Sequence, residues 1–453
     1  MDAQRPGHCC SLIYTSGTTG DPKAVMISHD NASWTVQRVV NEWRNRFGVT
    51  MDPQQRVVSF LPLSHVAGQL LDIVVPLMTG TQVFFAQPDA LKGTLGMTLK
   101  EVRPTVFFGV PRVWEKIAEK MWAMAAQNSG LKARIGAWAK ARGATRTQLA
   151  QFGQSGGDPC GYNIARSLVF SRVREALGLD QCWACYSGAA PISREIVEYF
   201  GSLDIHIYEF FGMSECTGPQ AYSNLGVWKI GSVGQTMPGV ETRIDSDSQE
   251  LLMRGRHVMM GYLKSEPQTR ATIDPDGWLH SGDCGELDAD GFIRITGRIK
   301  ELIITSGGEN VPPVLIEDAI KEELPLLANV MVVGDQRKFL TALFTLRVDV
   351  DAESNPTDRL DAKALSICKQ IGSSATTVAE AKLDTKVQTY LRDGLARANQ
   401  RATSRAQNVG KFEVLDRDFS FSGGELTPTL KLKRKVTAAR YAEVIEKMYR
   451  GTE

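Results

Sequence analysis

Through its first 230 residues the chain alternates short apolar runs with helical patterns, and that rhythm limits the folds open to it. Segments 57–61, 82–85, 105–110, 182–186 and 206–211 read as buried strands. Between them, 34–47, 70–78, 95–102, 111–126, 132–142, 164–177 and 193–200 carry helical spacing. Strands alternating with helices require crossover connections, which give a largely parallel or mixed sheet covered on both faces. From 231 to about 297 the texture changes to short strands broken by Gly, Pro and Asp turns, an antiparallel β pattern. After Lys300 come two strand runs, 328–333 and 340–346, and then helix-prone segments, the pattern of a small α+β domain. The polar stretch 351–408 reads as a helical insertion in it. The expected organisation is an α/β domain at 1–230, its β subdomain at 231–299 and an α+β domain at 300–453.

Into this frame the segment Tyr14–Asn31, YTSGTTGDPKAVMISHDN, sets a phosphate loop. Thr15, Ser16, Thr18 and Thr19 offer hydroxyls, Gly17 and Gly20 can take φ > 0 and let backbone N–H groups surround an anion, and Lys23 adds a point charge. The apolar run 11–14 before it reads as a buried strand, which would put the loop at a strand's carboxyl end, where α/β folds bind nucleotides. It is not a Walker loop: Pro22 stands at the second glycine's position and Ala24 where a Mg²⁺-binding hydroxyl belongs. Alone, a Ser/Gly/Thr cluster is more often a solvated linker.

Composition narrows the function classes. A net charge of +1 supplies no field for nucleic acid or acidic lipid, so no nucleic-acid partner is expected. The longest apolar stretch, 66–78, is interrupted by Gln69 and Asp72 and is too short to span a bilayer. Cys182 and Cys185 form a CxxC without a second pair, which reads as buried thiols in a reducing, cytoplasmic setting.

Other candidate sites follow predicted strands. His65, in LPLSH, sits at a strand end, though a lone histidine is as often structural. Ser187, Gly188, Ala189, Ala190 and Pro191 are small enough to admit a flat ring, or simply make a tight turn. Tyr208, Glu209, Phe210, Phe211 and Gly212 end another strand, followed by Ser214 and Glu215. Glu215 is the kind of single carboxylate Mg²⁺ takes beside nucleotide phosphates, or else an acid favoured at a helix start. Asp283, read as lying in a glycine-rich turn, has two oxygens for a ribose diol, with Arg298 a second contact. Lys300 falls where the texture changes, a place for a hinge. Lys431, by itself, reads as a solvated surface lysine.

In order and spacing, the phosphate loop, LPLSH, SGAAP, FFGMSE, GWLHSGD, TGRIKELIITSGGENVPP and LTPTLKLKR resemble the core motifs of the adenylate-forming superfamily, from residue 14 to residue 435. Seven collinear motifs are specific, and PTVFFGVPRVWEKI and ITSGGENVPP are most similar to the bubblegum-type long-chain fatty acyl-CoA synthetases. The resemblance implies a fatty acid–CoA ligase using ATP, Mg²⁺ and coenzyme A. A long-chain fatty acid would be activated as acyl-AMP with release of pyrophosphate, then transferred to the coenzyme A thiol. It also implies roles. Thr15 to Gly20 and Lys23 would hold the β- and γ-phosphates. His65 would line the carboxylate side, and Ser187–Pro191 and Tyr208–Gly212 would flank adenine. Ser214 and Glu215 would serve phosphate and Mg²⁺, Asp283 and Arg298 the ribose. Lys431 would bond the attacking carboxylate. A rotation about Lys300 would then withdraw it and bring Gly307 and Gly308 to coenzyme A.

Three positions depart from the family pattern. Ala24 and Leu430 stand where relatives usually have glycine, and the chain starts thirteen residues before the phosphate loop, where relatives carry a large amino-terminal portion. Lack of that portion would expose sheet edges and apolar helix faces. It leaves an alternative function: an inactive shortened relative that binds nucleotide, acyl chain or a partner without turnover. A fatty acid substrate also implies peripheral contact with the endoplasmic reticulum or other membranes. The sequence carries no mark of oligomeric state.

Overall fold

A computed structural model describes residues 3–15, 22–49, 55–154, 156–306, 309–351, 355–427 and 432–450. The chain divides into two compact units, one of residues 1–118 and 127–295 and one of residues 119–126 and 296–453.

The first unit opens with β1 (Cys9–Thr15) and β2 (Lys23–Ser28), paired antiparallel with Thr15 opposite Lys23. The expectation of a buried first strand is corrected: Ile13 is 2% exposed, but Leu12 and Tyr14 are 41% and 64% exposed. Side chains of a strand alternate between faces, and one face of β1 is open. The following helix, His29–Phe47, starts five residues earlier than its apolar spacing suggests, because Ser28 and Asn31 form a reciprocal capping box.

Strands β3 (Arg56–Ser59) and β4 (Gln82–Phe85) run parallel as a two-stranded sheet. β4 is not the buried strand its composition suggests: Phe84 and Phe85 are 38% and 73% exposed. Among the described residues β3 is its one neighbour, so β4 is an edge.

The central sheet places β5 (Val106–Gly109), β6 (Ala184–Gly188) and β7 (Ile207–Met213) in parallel, extended antiparallel by β8 (Gly218–Tyr222) and β9 (Gln235–Thr236). Helices cover both faces. On one, Trp43 and Phe47 of His29–Phe47 meet Tyr186 and Tyr208 at 6.1 and 5.6 Å between ring centroids. On the other, Trp114 of Pro111–Ala126 meets Phe107 at 5.2 Å and Phe200 of Arg194–Gly201 at 5.1 Å. Cys182 and Cys185 are buried, with sulfurs 3.6 Å apart.

Next come β10 (Glu241–Ile244), β11 (Glu250–Arg254), β12 (Gly261–Tyr262), β13 (Leu279–Leu287) and β14 (Ile293–Arg298). Four of them make a second sheet in the order β10-β11-β13-β14, and β12 leaves it to pair with β2, Tyr262 opposite Val25.

In the second unit, Leu327–Val333 pairs antiparallel with Leu340–Leu346, which pairs parallel with Val409–Val414. The stretch read as an insertion is part of this unit's core. Its helices Ala362–Gln370, Val378–Leu383 and Thr385–Asn399 bury Ala364, Ala381 and Leu391 beside Ile320, Leu324 and Phe344. Among the described residues no helix is long and apolar enough to cross a membrane.

Candidate active site

The phosphate-loop segment connects two antiparallel strands. Thr15 Oγ1 donates to the Lys23 carbonyl at 3.4 Å, closing its base. The loop follows a strand's carboxyl end, as expected, but KAVMIS is itself a strand, so the chain turns back on β1 before the first helix starts. Ser16, Gly17, Thr18, Thr19 and Gly20 lie outside the described residues.

Lys23 begins β2, and its Nζ lies 4.7 Å from the centre of the Tyr262 ring. Tyr262 Oη donates to Glu215 Oε1 at 2.8 Å. The backbone sets both contacts. β12 pairs with β2 at Val25, two residues from Lys23, and Met259 N–H donates to the Glu215 carbonyl at 2.8 Å. Glu215 and Ser214 follow directly on β7 and are only 7% and 8% exposed.

Asp283 belongs to the same neighbourhood. Burial pushes the Cys216 thiol up to about 12, and the Glu215 and Asp283 carboxylates add to that rise. The structure therefore links Lys23 to Glu215 through Tyr262, and Asp283 lies near enough to Cys216 for its charge to act on the thiol. Asp283 does not stand in a turn, as its glycine neighbours suggest. It lies inside β13, where the pairing with β11 slips between Glu250 and Leu252 and Gly282 adopts φ +72°. The Gly282 N–H donates to Glu250 Oε1 at 2.7 Å, which anchors the bulge.

The carboxyl ends of β6 and β7 form a second wall. Ser187 stands opposite Glu209 and Gly188 opposite Phe210. A side chain at Gly188 would place its first carbon 2.9 Å from the Phe210 carbonyl oxygen, and one at Gly212 would come within 1.7 Å of the Gly218 carbonyl oxygen. Ala189 holds φ +69°, a conformation costing an alanine about 1–2 kcal/mol. Ala190 is half-buried and Pro191 exposed, leading into the helix Arg194–Gly201 capped by Ser193. Phe210 and Phe211 are partly buried, whereas Tyr208, 3% exposed, is packed among Phe47, Tyr186 and Trp228 as a core residue. Burial pushes the Glu209 carboxyl up to about 8.

His65 caps the helix Val66–Gln69, its Nδ1 accepting the Ala67 N–H at 3.2 Å. That helix touches two other site segments. Gln69 Oε1 accepts from Ser11 Oγ of β1 at 2.7 Å, and Leu70 sits where a side chain on Gly218 would be 2.6 Å away.

The remaining candidates belong to the second unit. Arg298 ends β14 and Lys300 lies in the single 3₁₀ turn Ile299–Glu301. Gly307, Gly308 and Lys431 lie outside the described residues. The chain on either side of 427–431 is joined by a Leu426–Leu432 bridge and by the Lys433 N–H donating to the Glu425 carbonyl at 2.7 Å. Glu425 is fully buried and accepts from Arg417 and Arg440. Arg434 donates to Glu301 at 3.1 Å and to Glu317 at 2.6 Å.

Two groups escaped the sequence reading. Tyr262 is one tyrosine in a Gly-Tyr pair with no periodic or compositional mark. Arg434 sits in a basic cluster indistinguishable from a solvated one until its carboxylate partners, far away in sequence, are placed.

A Mg²⁺ site fits Glu215: the carboxylate is buried, and one of its oxygens is held by Tyr262. Among the described residues no group of three or more His, Cys, Asp or Glu could hold a metal, so the ion would also need phosphate oxygens.

Comparison with known proteins identifies the family of the chain. Residues 1–263 match the AMP-binding enzyme family model and residues 300–415 its C-terminal domain model. The long-chain-fatty-acid–CoA ligase ACSBG2 of Xenopus laevis is 50% identical over 99% of this chain and 61% of its own length. The human ligase of that name is 44% identical over 99% of this chain and 68% of its own. The chain thus spans about three fifths to two thirds of these relatives. In fold it is similar to the ATP-bound RpMatB-BxBclM chimera B3, with a TM-score of 0.64, 20% identity, and 97% of this chain and 70% of that one covered. It is equally similar to the adenylation domain of a carboxylate reductase from Mycobacterium chelonae, with a TM-score of 0.64, 22% identity, and 98% and 60% covered. The chain belongs to the AMP-binding enzyme family, and it is similar to relatives named long-chain-fatty-acid–CoA ligases.

Proposed function

We propose that the protein is an ATP-dependent long-chain fatty acid–CoA ligase. What supports this reading most is the link from Lys23 through Tyr262 to Glu215, a cation and a buried carboxylate held where a phosphate hairpin meets the end of β7. Ligase relatives at 44–50% identity support the choice of acid and acceptor.

A carboxylate is a poor acyl donor because its oxygen is a poor leaving group. In the first step the fatty acid carboxylate attacks the α-phosphorus of ATP, and the bond to the bridging oxygen breaks, releasing pyrophosphate. Lys23 and the 16–20 backbone take charge developing on the phosphates. Mg²⁺, held by Glu215 and phosphate oxygens, would neutralise part of that charge. Asp283, with Arg298, grips the ribose. Glu209 presents its buried carboxyl to the exocyclic amine of adenine, between the close-packed Gly188 and Gly212. His65 lines the carboxylate side. In the second step the coenzyme A thiol loses its proton and attacks the acyl carbonyl, and AMP leaves. Lys431 serves the first step only. The domain at 300–453 turns about Lys300 relative to that at 1–230 and its β subdomain at 231–299, so that Gly307 and Gly308 meet coenzyme A. A water-insoluble substrate makes a cytoplasmic protein in peripheral contact with membranes the fitting setting.

The test is product analysis on the 453-residue chain. Incubation with ATP, Mg²⁺, coenzyme A and palmitate or oleate should give acyl-CoA, AMP and pyrophosphate in equal amounts. Formation of ADP, or acyl-AMP that never reaches coenzyme A, would reject the ligase reading.

A further inference from the structure

Tyr262 touches both charged anchors of the candidate site, and nothing in the sequence assigns it a role. Its ring faces Lys23 Nζ at 4.7 Å, and its hydroxyl donates to Glu215 Oε1 at 2.8 Å and contacts the Thr272 side chain. It is 5% exposed, and β12 fixes its position by pairing with β2. The two ends of the side chain therefore act on different partners. An aromatic face under an ammonium group holds a long, flexible lysine extended without neutralising it. A hydroxyl on one carboxylate oxygen sets the rotation of the carboxylate and leaves the other oxygen to a metal, as outer-shell donors do in metal sites.

We infer that Tyr262 is a positioning residue that sets Lys23 for phosphate and Glu215 for Mg²⁺, with the two duties separable by atom. This rests on the proposed ATP-dependent reading. The ring belongs to phosphate binding whether or not metal is present, and the hydroxyl belongs to metal dependence.

The test measures binding rather than turnover. Affinity for ATP is read by titration calorimetry with and without Mg²⁺ on wild type, Tyr262→Phe and Tyr262→Leu, with melting temperatures recorded alongside. Tyr262→Phe keeps the ring, so affinity without metal should stay at wild type, while the gain on adding Mg²⁺ falls about tenfold. Tyr262→Leu should also weaken metal-free binding about threefold. If Tyr262→Leu does not fold, the isosteric Tyr262→Phe alone decides. A lowered melting temperature with an unchanged Mg²⁺ gain would make Tyr262 merely structural and overturn the inference. So would equal loss with and without metal in Tyr262→Phe. Wild type that binds no ATP would instead reject the functional reading itself.

Discussion

Ser187 and Glu209 stand opposite each other across the parallel strands β6 and β7, and the buried Ser187 hydroxyl has no hydrogen-bond partner among the described residues. Ser187 is 1% exposed, and its buried hydroxyl carries a desolvation cost that a bound ligand would relieve. Glu209 carries a cost of burial of its own. Its carboxyl is pushed up to about 8 by burial, so the folded protein keeps a proton there that the unfolded chain releases near 4.5. Between those values the native state binds more protons, and stability contributed by the neutral form falls as pH rises. Glu209→Gln should raise the melting temperature by a few degrees at pH 8 and less at pH 5. Glu209→Leu should weaken ATP binding about tenfold while Glu209→Gln, which keeps an acceptor for an adenine amine, weakens it less. Thermal scans at both pH values and nucleotide titrations check this.

Acid stability carries the opposite sign. His257 is fully buried, its Nε2 donates to Gln220 Oε1 at 2.6 Å, and burial lowers its pKa to about 4. His206 is lowered to about 4 as well, chiefly by burial. The unfolded chain takes up these protons near pH 6.5 and the folded chain does not, so stability is lost as pH falls from 7 towards 4. His257 alone should account for about 2–3 kcal/mol of that loss. His257→Asn should cost stability at pH 7 and yet flatten the decline, measured by melting temperature from pH 7 to pH 4.5.

Much of the fold was legible because it depends on local pattern. Segments 95–102 and 111–126 form helices with the expected limits, since each has a clear apolar stripe. The hairpin at the phosphate loop was not legible, since KAVMIS becomes a strand only by pairing with β1 and β12. The site motifs announced Lys23, Glu215 and Asp283 through their glycine-rich surroundings. Tyr262 and Arg434 owe their roles to partners 47 and 117 residues away, a relation no local pattern records.

Ala189 offers a strain test. At φ +69° alanine is penalised by about 1–2 kcal/mol, and a glycine there gives up about 0.5–1 kcal/mol of chain entropy on folding. Ala189→Gly should therefore be neutral to slightly stabilising, and Ala189→Val destabilising by more than 1 kcal/mol by denaturant titration.

The base of the 427–431 span is held by ion pairs on both sides, Glu425 with Arg417 and Arg440, and Arg434 with Glu317 and Glu301. Arg434 and Glu317 are both largely shielded from water, so Arg434→Met leaves a buried carboxylate uncompensated and should cost about 3–5 kcal/mol. If this base positions Lys431, the variant should also slow acyl-AMP formation at least tenfold while thioester formation from supplied acyl-AMP falls less. Lys431→Ala should show the same split without the stability loss. Equal loss of both half-reactions would remove Lys431 from its assigned step.

The central claim, that the hairpin and the strand ends gather Lys23, Glu215 and Asp283 around a triphosphate that activates a fatty acid, is tested most directly by isotope exchange between pyrophosphate and ATP. The account predicts exchange that requires added palmitate or oleate and falls at least a hundredfold in Lys23→Ala, whose fold is otherwise intact. Exchange independent of added acid, or undiminished in Lys23→Ala, would contradict it.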